Sequence, residues 1–359
     1  MNEKQKNTRV IAYYLPQFHP IPQNDEWWGK GFTEWTNTAK AKPLYKGHYQ
    51  PHVPADLGFY DLRVPETREA QADMAREYGI EGFCYWHYWF GGNRLLERPF
   101  DEVLASRKPD FPFCLAWANQ TWTGIWHGTP NRTLIEQTYP GIEDYKNHFY
   151  MLLKAFSDDR YITVDGKPLF SIYWPVGLPD CNQITDLWRE LALNAGLKGL
   201  YLVGESKDPN WIPQDHGFDA AITLNFSKLR YGNSWHHPLH RLKMKYHNLL
   251  NLPRIYNYEE LLKVKSPNLP SDVEAFPTIM PNWDNTPRSG KNGIVLQGST
   301  PELFRLNIQQ KFAKVADRPL EHRIVFAKSW NEWAEGNHLE PDMKYGMQYL
   351  EVLRDEIFK

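Results

Sequence analysis

The sequence predicts an α/β protein that folds as one closed (β/α)8 barrel, a TIM barrel. Eight short apolar segments recur along the 359 residues, and amphipathic helical stretches lie between most of them. The glycine-rich fingerprint that would favour an open, dinucleotide-binding sheet does not follow the first segment. The sequence has neither internal repeats nor Gly/Ser-rich linkers, so we expect a single domain over residues 1–359 with long βα-loop insertions.

The predicted strands are short, mainly apolar runs bounded by turn-forming or polar residues. Pro16 ends the first run, because proline cannot continue a strand's hydrogen-bond ladder. The eight strands are predicted over residues 10–15, 82–87, 113–117, 169–174, 200–204, 220–224, 276–280 and 324–327.

The predicted helices carry end signals. Pro65 opens the first one and Gly79 follows its end, which is the usual placement of these two residue types. Helices are expected over about 65–78, 143–156, 182–195 and 301–315 and after Met343, and long insertions over about 16–64 and 225–272.

Composition limits the function. The net charge is −2 and lysine and arginine form no stripe, so no nucleic-acid partner is predicted. Aromatic residues make up 15% of the chain, with 15 Trp and 20 Tyr. A tryptophan-rich core would account for any one of them. Their grouping beside polar residues near predicted strand ends favours a cleft for an oligosaccharide or polysaccharide.

The three cysteines, Cys84, Cys114 and Cys181, form no C-x-x-C pair, which predicts free thiols in a reducing compartment. The first nine residues are polar up to the first strand, and no apolar run reaches 18 residues. Neither a signal peptide nor a membrane span is therefore predicted. We expect a cytoplasmic protein.

The active site of a TIM barrel lies at the carboxyl ends of its strands. Polar and aromatic residues follow nearly every predicted strand, and polar groups are costly to bury unless a site needs them. Asn225 and, from the first insertion, Glu34 could reach this rim. The residues expected to contact substrate are Tyr14, His87, Trp117, Asn119, Glu205, Trp283, Asp284, Asn331 and Trp333.

The most informative motif places Glu332 and Glu335 three residues apart among tryptophans. Residues i and i+3 of an extended strand face opposite sides, so the strand must break near Glu332, and Gly336 permits the turn. The two carboxylates would then meet at the barrel mouth, where burial and like charge raise one pKa and leave that group a general acid. Such pairs cleave glycosidic bonds. The alternative is that they cap a helix or pair with arginines.

This motif carries a resemblance. Together with six further stretches it resembles the WbsX-type proteins of bacterial O-antigen and polysaccharide gene clusters, which are related to the endo-α-mannosidase family of glycoside hydrolases. The resemblance spans nearly the whole chain and implies a (β/α)8 barrel. The matching stretches are residues 14–19, 24–35, 48–52, 82–90, 281–288, 330–336 and 339–342.

The resemblance also implies roles. Glu332 would be the base that acts on the sugar's 2-hydroxyl, and Glu335 the acid that protonates the leaving oxygen and then the base that activates water. The intermediate would be a 1,2-anhydro sugar, with net retention and with neither cofactor nor metal. Ordinary double displacement would instead place the two carboxyl groups roughly 5–5.5 Å apart.

One loop departs from the resemblance. After Asn119 the relatives usually carry a glutamate, followed by an arginine pair and an aspartate, whereas this chain has Gln120 and lacks those charges over 120–127. Since Glu332 and Glu335 are intact, we expect a different sugar or linkage rather than loss of catalysis.

A retaining glycoside hydrolase acting on a bacterial polysaccharide or O-antigen-like glycan is the favoured hypothesis. The alternative is a glycosyltransferase or transglycosylase in O-antigen or capsule biosynthesis, although the sequence lacks the Asp-x-Asp motif of metal-dependent nucleotide-sugar transferases. A non-catalytic binding protein is disfavoured by the presence of both glutamates. His236, His237 and His240 have a spacing that suits a metal, but no carboxylate accompanies them, so we expect a polar loop and no metal site.

Overall fold

The computed structural model describes residues 5–124, 129–205, 211–224, 249–250, 252–264 and 269–359. Its centre is a closed barrel of eight parallel strands, in which β1 pairs with both β2 and β8. The predicted fold class and all eight predicted strands are confirmed. The strands are β1 Arg9–Tyr14, β2 Gly82–Phe90, β3 Phe113–Trp117, β4 Lys167–Ile172, β5 Tyr201–Glu205, β6 Ala220–Thr223, β7 Ala275–Ile279 and β8 Ile324–Ala327.

Helices lie outside the barrel and in its loops, and every predicted helix is present. None of the helices in the described ranges is long and apolar enough to cross a membrane. The helices are α1 Pro22–Trp28, α2 Glu34–Lys40, α3 Pro65–Glu77, α4 Arg98–Ser106, α5 Ile142–Phe156, α6 Cys181–Asn194, α7 Tyr258–Lys263, α8 Thr286–Ser289, α9 Pro301–Phe312 and α10 Gln348–Ile357.

Short strands outside the barrel and single 3-10 turns complete the chain. The short strands are Asn93–Leu95, Trp122–Gly124, Thr129–Ile135, Thr163–Val164, Arg254–Asn257, Ile294–Gln297, Asn331–Glu332 and Asn337–His338. The 3-10 turns are Pro175–Gly177, Pro213–His216, Gly290–Asn292, Leu320–His322 and Trp333–Glu335.

Barrel strands are buried on both faces, as β2 shows: all nine of its residues are buried. One face packs under the helices, where the Tyr85 ring lies 5.3 Å from that of Phe100 in α4. The other face fills the barrel, where Trp86 stacks on Tyr13 of β1 at 4.6 Å. Alternate residues of a strand therefore belong to different layers, because side chains alternate along a strand.

The first long insertion, residues 16–64, packs against the loop that follows β8. Trp35 of α2 donates its indole N–H to the Tyr60 carbonyl at 2.7 Å, and its ring lies 5.5 Å from that of Trp333. This insertion is thereby placed over the carboxyl end of the barrel. The second insertion is described only in part, since 225–248, 251 and 265–268 lie outside the described residues.

Candidate active site

The loop after β8 carries both motif carboxylates. Asn331–Glu332 pairs antiparallel with Asn337–His338, and the 3-10 turn Trp333–Glu335 joins them. Gly336 ends the turn with φ +56°, and a Cβ there would lie 2.9 Å from Cβ of Asp284. The predicted break at Glu332 and turn at Gly336 are confirmed. We call residues 331–338 the catalytic loop, because they carry the two glutamates for which the sequence predicts catalysis.

Glu332 and Glu335 are both buried and adjacent. The Trp86 indole N–H donates to Oε1 of Glu332 at 2.8 Å, and the Arg288 guanidinium donates to Oε1 of Glu335 at 2.7 Å. Burial raises the pKa of Glu335 to about 8; Arg288 and Lys328 oppose this, while the charge and a hydrogen bond of Glu332 add to it. Glu335 is therefore protonated at neutral pH.

Arg288 links two carboxylates. Besides Glu335, it donates through Nε to Oε2 of Glu34 at 3.0 Å, from the first turn of α2. Burial would lower the pKa of the Arg288 guanidinium, but the charges of Glu34, Glu335 and Glu332 raise it further than burial lowers it. The expectation that Glu34 reaches the rim is confirmed.

Lys328, the residue after β8, is a buried cation inside the barrel. Its Nζ lies 3.5 Å from Oε1 of Glu205 at the end of β5, and it lies over the rings of Tyr13, Trp86 and Tyr173 at 5.3 to 5.6 Å. Burial acts to lower the pKa of Lys328, yet Glu205 and the neighbouring acidic groups raise it. Glu205 therefore belongs to the interior of the site, as a partner of Lys328.

Three residues expected to contact sugar face the helices instead. The Tyr14 hydroxyl donates to Oε1 of Gln71 in α3 at 2.6 Å, and Nε2 of His87 lies 2.8 Å from Nε2 of His148 in α5. Trp117 packs on Trp188 of α6 at 6.3 Å and is 1% exposed. We correct these three predictions: Tyr14, His87 and Trp117 support the barrel wall.

The error has a simple physical reason. Successive side chains of a strand face opposite sides, and Tyr14, His87 and Trp117 all stand at positions that face the helices. The side chains that do face the barrel or its mouth are the alternating neighbours Tyr13, Trp86 and Tyr88. Tyr88 lies close enough that the charge of Glu332, after burial, raises the pKa of its hydroxyl. Strand parity alone could have identified all three.

Asn119 and Asn331 are also occupied by the protein itself. The Asn119 side chain accepts the backbone N–H of Trp174 at 2.8 Å and donates to the Trp174 carbonyl at 2.9 Å. In the same way, the Asn331 side chain accepts the backbone N–H of Leu15 at 2.7 Å and donates to the Leu15 carbonyl at 3.1 Å. Both asparagines are fully buried. The prediction that these two asparagines contact sugar is therefore wrong. They position neighbouring loops instead.

Trp333 lies behind the catalytic loop rather than in the cleft. Its indole N–H donates to Oε2 of Glu340 at 2.6 Å and its ring stacks on His338 at 3.7 Å. Burial raises the pKa of Glu340 to about 7, although Trp333 and the other donors around it lower it. With 1% of its surface exposed, Trp333 braces the loop, which again corrects the expectation of sugar contact.

Asp284 accepts four hydrogen bonds and has no role left for a sugar. The donors are His48 at 2.6 Å, Gln50 at 2.7 Å, and the hydroxyl and backbone N–H of Thr286 at 2.6 and 3.0 Å. Burial would raise the pKa of Asp284, but these donors lower it. Its own backbone N–H donates to the Glu335 carbonyl at 2.6 Å. Asp284 thus helps to position Glu335.

Trp283 is half-buried and packs against the small apolar cluster that includes Met280 and Leu296. Its contact with sugar stays a prediction. Asn225, His236, His237 and His240 lie outside the described residues, as do 125–128 of the divergent loop. Gln120 is described and is partly exposed.

Aromatic side chains line one side of the mouth. The Trp122 ring lies 6.0 Å from Trp27, 4.9 Å from Tyr88 and 5.8 Å from Phe90. Trp27 and Trp122 are half-buried, so each presents part of its ring surface to solvent. Flat apolar rings that carry an N–H donor suit the faces and hydroxyls of sugars.

One group in the described part of the chain has the composition of a metal site. His52, His338 and Asp342 are buried, and their ligand atoms lie within 4.8 Å of one another. They border a cavity that neither Glu332 nor Glu335 lines. The group is therefore separate from the two motif carboxylates.

Comparisons with known proteins match the whole chain. A family model described as "Glycosyltransferase WbsX" matches residues 10–353. Two curated relatives, both named "Uncharacterized protein WxcX", from two strains of Xanthomonas campestris pv. campestris, are 37% identical over 350 residues. The match covers 97% of this chain and 49% of each relative, so the chain spans about half the length of the curated relatives.

Two solved structures are similar in fold. A "Glycoside hydrolase-like protein" is 18% identical with a TM-score of 0.59, covering 99% of this chain and 96% of its own. The GH99 endo-alpha-mannosidase from Bacteroides thetaiotaomicron is 12% identical with a TM-score of 0.59, covering 98% and 97%. At these identities the likeness shows a shared barrel fold.

Proposed function

The chain belongs to the Glycosyltransferase WbsX family, and from this premise and the geometry above we propose that it is a retaining glycoside hydrolase. Its substrate would be a bacterial polysaccharide or O-antigen-like glycan. Residues 1–359 would form a single catalytic domain. Glu335 would be the acid/base and Glu332 the base on the sugar's 2-hydroxyl.

The observation that carries the proposal is the state of Glu335. A buried carboxyl with its pKa raised to about 8 holds a proton at neutral pH, which is what protonation of a glycosidic oxygen requires. Its neighbour Glu332 is oriented by the Trp86 indole, which donates to one of its carboxylate oxygens at 2.8 Å. Two adjacent carboxyl groups thus have different environments and can serve different roles.

The first step transfers two protons. Glu335 gives its proton to the leaving oxygen while the bond from that oxygen to C1 breaks. Glu332 takes the proton of the 2-hydroxyl, and the 2-oxygen forms a bond to C1, which gives a 1,2-anhydro sugar. Arg288, held in place by Glu34, stabilises the charge that appears on Glu335 as it loses its proton.

The second step reverses the proton transfers. Glu335, now a carboxylate, takes a proton from water as the water oxygen bonds to C1. The C1–O2 bond breaks, and O2 recovers a proton from Glu332. Both glutamates return to their starting states, and two inversions at C1 give net retention.

Ordinary double displacement is the competing mechanism at the same residues. It needs carboxyl groups roughly 5–5.5 Å apart, with C1 between them. A measured separation of the two carboxyl groups in a substrate complex, or loss of activity on substrates without a free 2-hydroxyl, would distinguish the two routes.

Substrate recognition would rest on the aromatic side of the mouth. Trp27, Tyr88 and Trp122 form a platform next to the carboxylates, since Tyr88 is near enough to be influenced by the charge of Glu332. Gln120 begins the divergent loop close to Trp122 in the chain. A neutral glutamine there in place of a glutamate favours a sugar or linkage different from that of related enzymes.

The alternative is transfer to a sugar acceptor, as the family description suggests. The same two glutamates would operate, and only the group that opens the anhydro sugar would differ. A transferase or transglycosylase in polysaccharide assembly would release little reducing sugar and would lengthen its acceptors.

The test is incubation of wild type and Glu335→Gln with a panel of bacterial O-antigens, capsules and mannans, with products followed by mass spectrometry. Shortened glycans from wild type alone support the hydrolase. Equal products from both proteins would contradict the role of Glu335. Extended products from wild type would support transfer.

A further inference from the structure

His52 and His338 meet at the border of a cavity that neither Glu332 nor Glu335 lines. Nδ1 of His52 lies 2.9 Å from Nε2 of His338, and both rings are buried. His52 comes from the first long insertion, whereas His338 ends the catalytic loop. The contact therefore joins two segments that are 286 residues apart in the chain.

The tautomer of His338 follows from its other nitrogen. Nδ1 lies 2.9 Å from the Glu340 carbonyl, which only accepts hydrogen bonds, so Nδ1 carries the hydrogen. Nε2 therefore presents a lone pair toward His52. The Trp333 ring, stacked on His338 at 3.7 Å, fixes the plane of the imidazole. Histidines that ligate metals have this arrangement, in which the distal N–H bonds a carbonyl.

Asp342 supplies a carboxylate to the same place. Its Oδ1 accepts the backbone N–H groups of Lys344 at 3.0 Å and Tyr345 at 2.7 Å, which fixes its orientation. Its Oδ2 accepts a longer bond of 3.2 Å from the Tyr49 hydroxyl. Since a carboxylate oxygen has two acceptor positions, Oδ2 can also bind a cation.

A cavity of about 90 Å³ borders all three residues. It is large enough for several water molecules, which would complete the coordination of an ion. The side chains of Ser299, Asn282 and Tyr45 also line it. A bound ion would therefore not need a shell made only of protein atoms.

The local charges favour a cation. The carboxylates of Asp284 and Asp342 act on His52, against the single ammonium of Lys344, which lies over the rings of Tyr49 and Tyr345. The hydrogen between the two rings lies on Nδ1 of His52, because Nε2 of His338 offers only a lone pair.

We propose that His52, His338 and Asp342 bind a divalent transition-metal ion, which ties the first insertion to the catalytic loop. Two nitrogens at the usual distance from such an ion lie roughly 2.9–3.4 Å apart, and these two are separated by 2.9 Å. Binding replaces the hydrogen bond between the rings with two metal–nitrogen bonds, and the hydrogen moves to the other nitrogen of His52. Imidazole and carboxylate ligands suit Zn²⁺.

The fold offers a matched control pair. His87 and His148 are also buried and in contact, with their Nε2 atoms 2.8 Å apart. No carboxylate joins them in a group of the kind that His52, His338 and Asp342 form among the described residues. If contact between two buried histidines were enough to bind a metal ion, both pairs would bind one. The proposal predicts that His52 and His338 bind the ion and that His87 and His148 do not.

The experiment is titration of the chelator-treated full chain with Zn²⁺ by isothermal calorimetry, using wild type, His52→Gln, Asp342→Asn and His148→Gln. A variant with His236, His237 and His240 all changed to alanine tests whether those histidines bind Zn²⁺ instead. Folding of each variant is checked by circular dichroism. Mg²⁺, which prefers oxygen ligands, serves as the ion control.

One Zn²⁺ per chain is expected for wild type, His148→Gln and the triple variant. Asp342→Asn, which keeps the shape of the side chain, should bind at least about tenfold more weakly, and so should His52→Gln. Zn²⁺ should raise the thermal midpoint of wild type but not of these two variants. Absence of Zn²⁺ binding by folded wild type would overturn the proposal, as would unchanged binding by Asp342→Asn and His52→Gln.

Discussion

The Arg288 guanidinium donates a 2.7 Å hydrogen bond to Glu335, and the pKa of Glu335 is nevertheless raised to about 8. An arginine beside a carboxyl ordinarily lowers its pKa. Here burial outweighs it, Glu332 adds a like charge, and Glu34 neutralises part of the arginine's charge. The site therefore keeps an acid protonated while holding the cation that stabilises it once its proton has left.

The pH profile of cleavage should follow from this pKa. Because Glu335 must carry a proton, kcat/KM should hold up to about pH 8 and then fall tenfold per pH unit. The measurement is initial rate at low substrate concentration from pH 5 to 10. A rate that stays level through about pH 10 would exclude Glu335 as the acid.

Glu34→Gln should shift the decrease in kcat/KM at alkaline pH to a lower pH. Without the charge of Glu34, Arg288 acts more strongly on Glu335 and lowers its pKa. The matched control is Glu26→Gln, since Glu26 is an exposed residue of the same insertion. If kcat/KM of both variants decreased at the same pH as that of wild type, the contact of Glu34 with Arg288 would have no effect on the pKa of Glu335.

Lys328→Met should destabilise the fold, because it leaves Glu205 buried without its cation. We expect the free energy of unfolding to fall by about 3–5 kcal/mol in urea denaturation. In the double variant Lys328→Met/Glu205→Gln, the free energy of unfolding should fall by less than the sum of the decreases in the two single variants. Strict additivity would mean that the two side chains do not interact.

Gly336→Ala tests the turn that brings Glu335 to Glu332. A Cβ at φ +56° would lie 2.9 Å from Cβ and 3.0 Å from the backbone nitrogen of Asp284. The control is Gly196→Ala, where φ is +85° and a Cβ meets open space. Gly196→Ala should lower the free energy of unfolding by about 1–2 kcal/mol. Gly336→Ala should lower it by more and should also reduce kcat. Equal costs would mean that Asp284 moves aside freely.

The fold was predictable because its signals are local. Each barrel strand is a short apolar run, and helix ends carry residues such as Pro65 that mark them in the sequence. The break at Glu332 was equally local, since the spacing of Glu332 and Glu335 excludes a continuous strand. These elements needed no knowledge of tertiary contacts.

The partners of Glu332 and Glu335 were not predictable in this way. Glu34 and Arg288 are 254 residues apart in the chain, and their contact exists only because the first insertion covers the barrel mouth. Lys328 sits next to an apolar strand, and only closure of the barrel brings it to Glu205. Residues such as Asn119 and Asp284 resemble ligand-binding groups in sequence, but the protein's own loops occupy their hydrogen bonds.

The most direct test of the account is a carboxyl titration of the substrate-free protein by infrared difference spectroscopy, in wild type and Glu335→Gln. One carboxyl should lose its proton near pH 8 in wild type, and this titration should be missing from the variant. Glu340, whose pKa burial raises to about 7, should remain in both as an internal reference. A titration above pH 7.5 that survives in Glu335→Gln, or a Glu335 already ionised at pH 6, would contradict its assignment as the general acid.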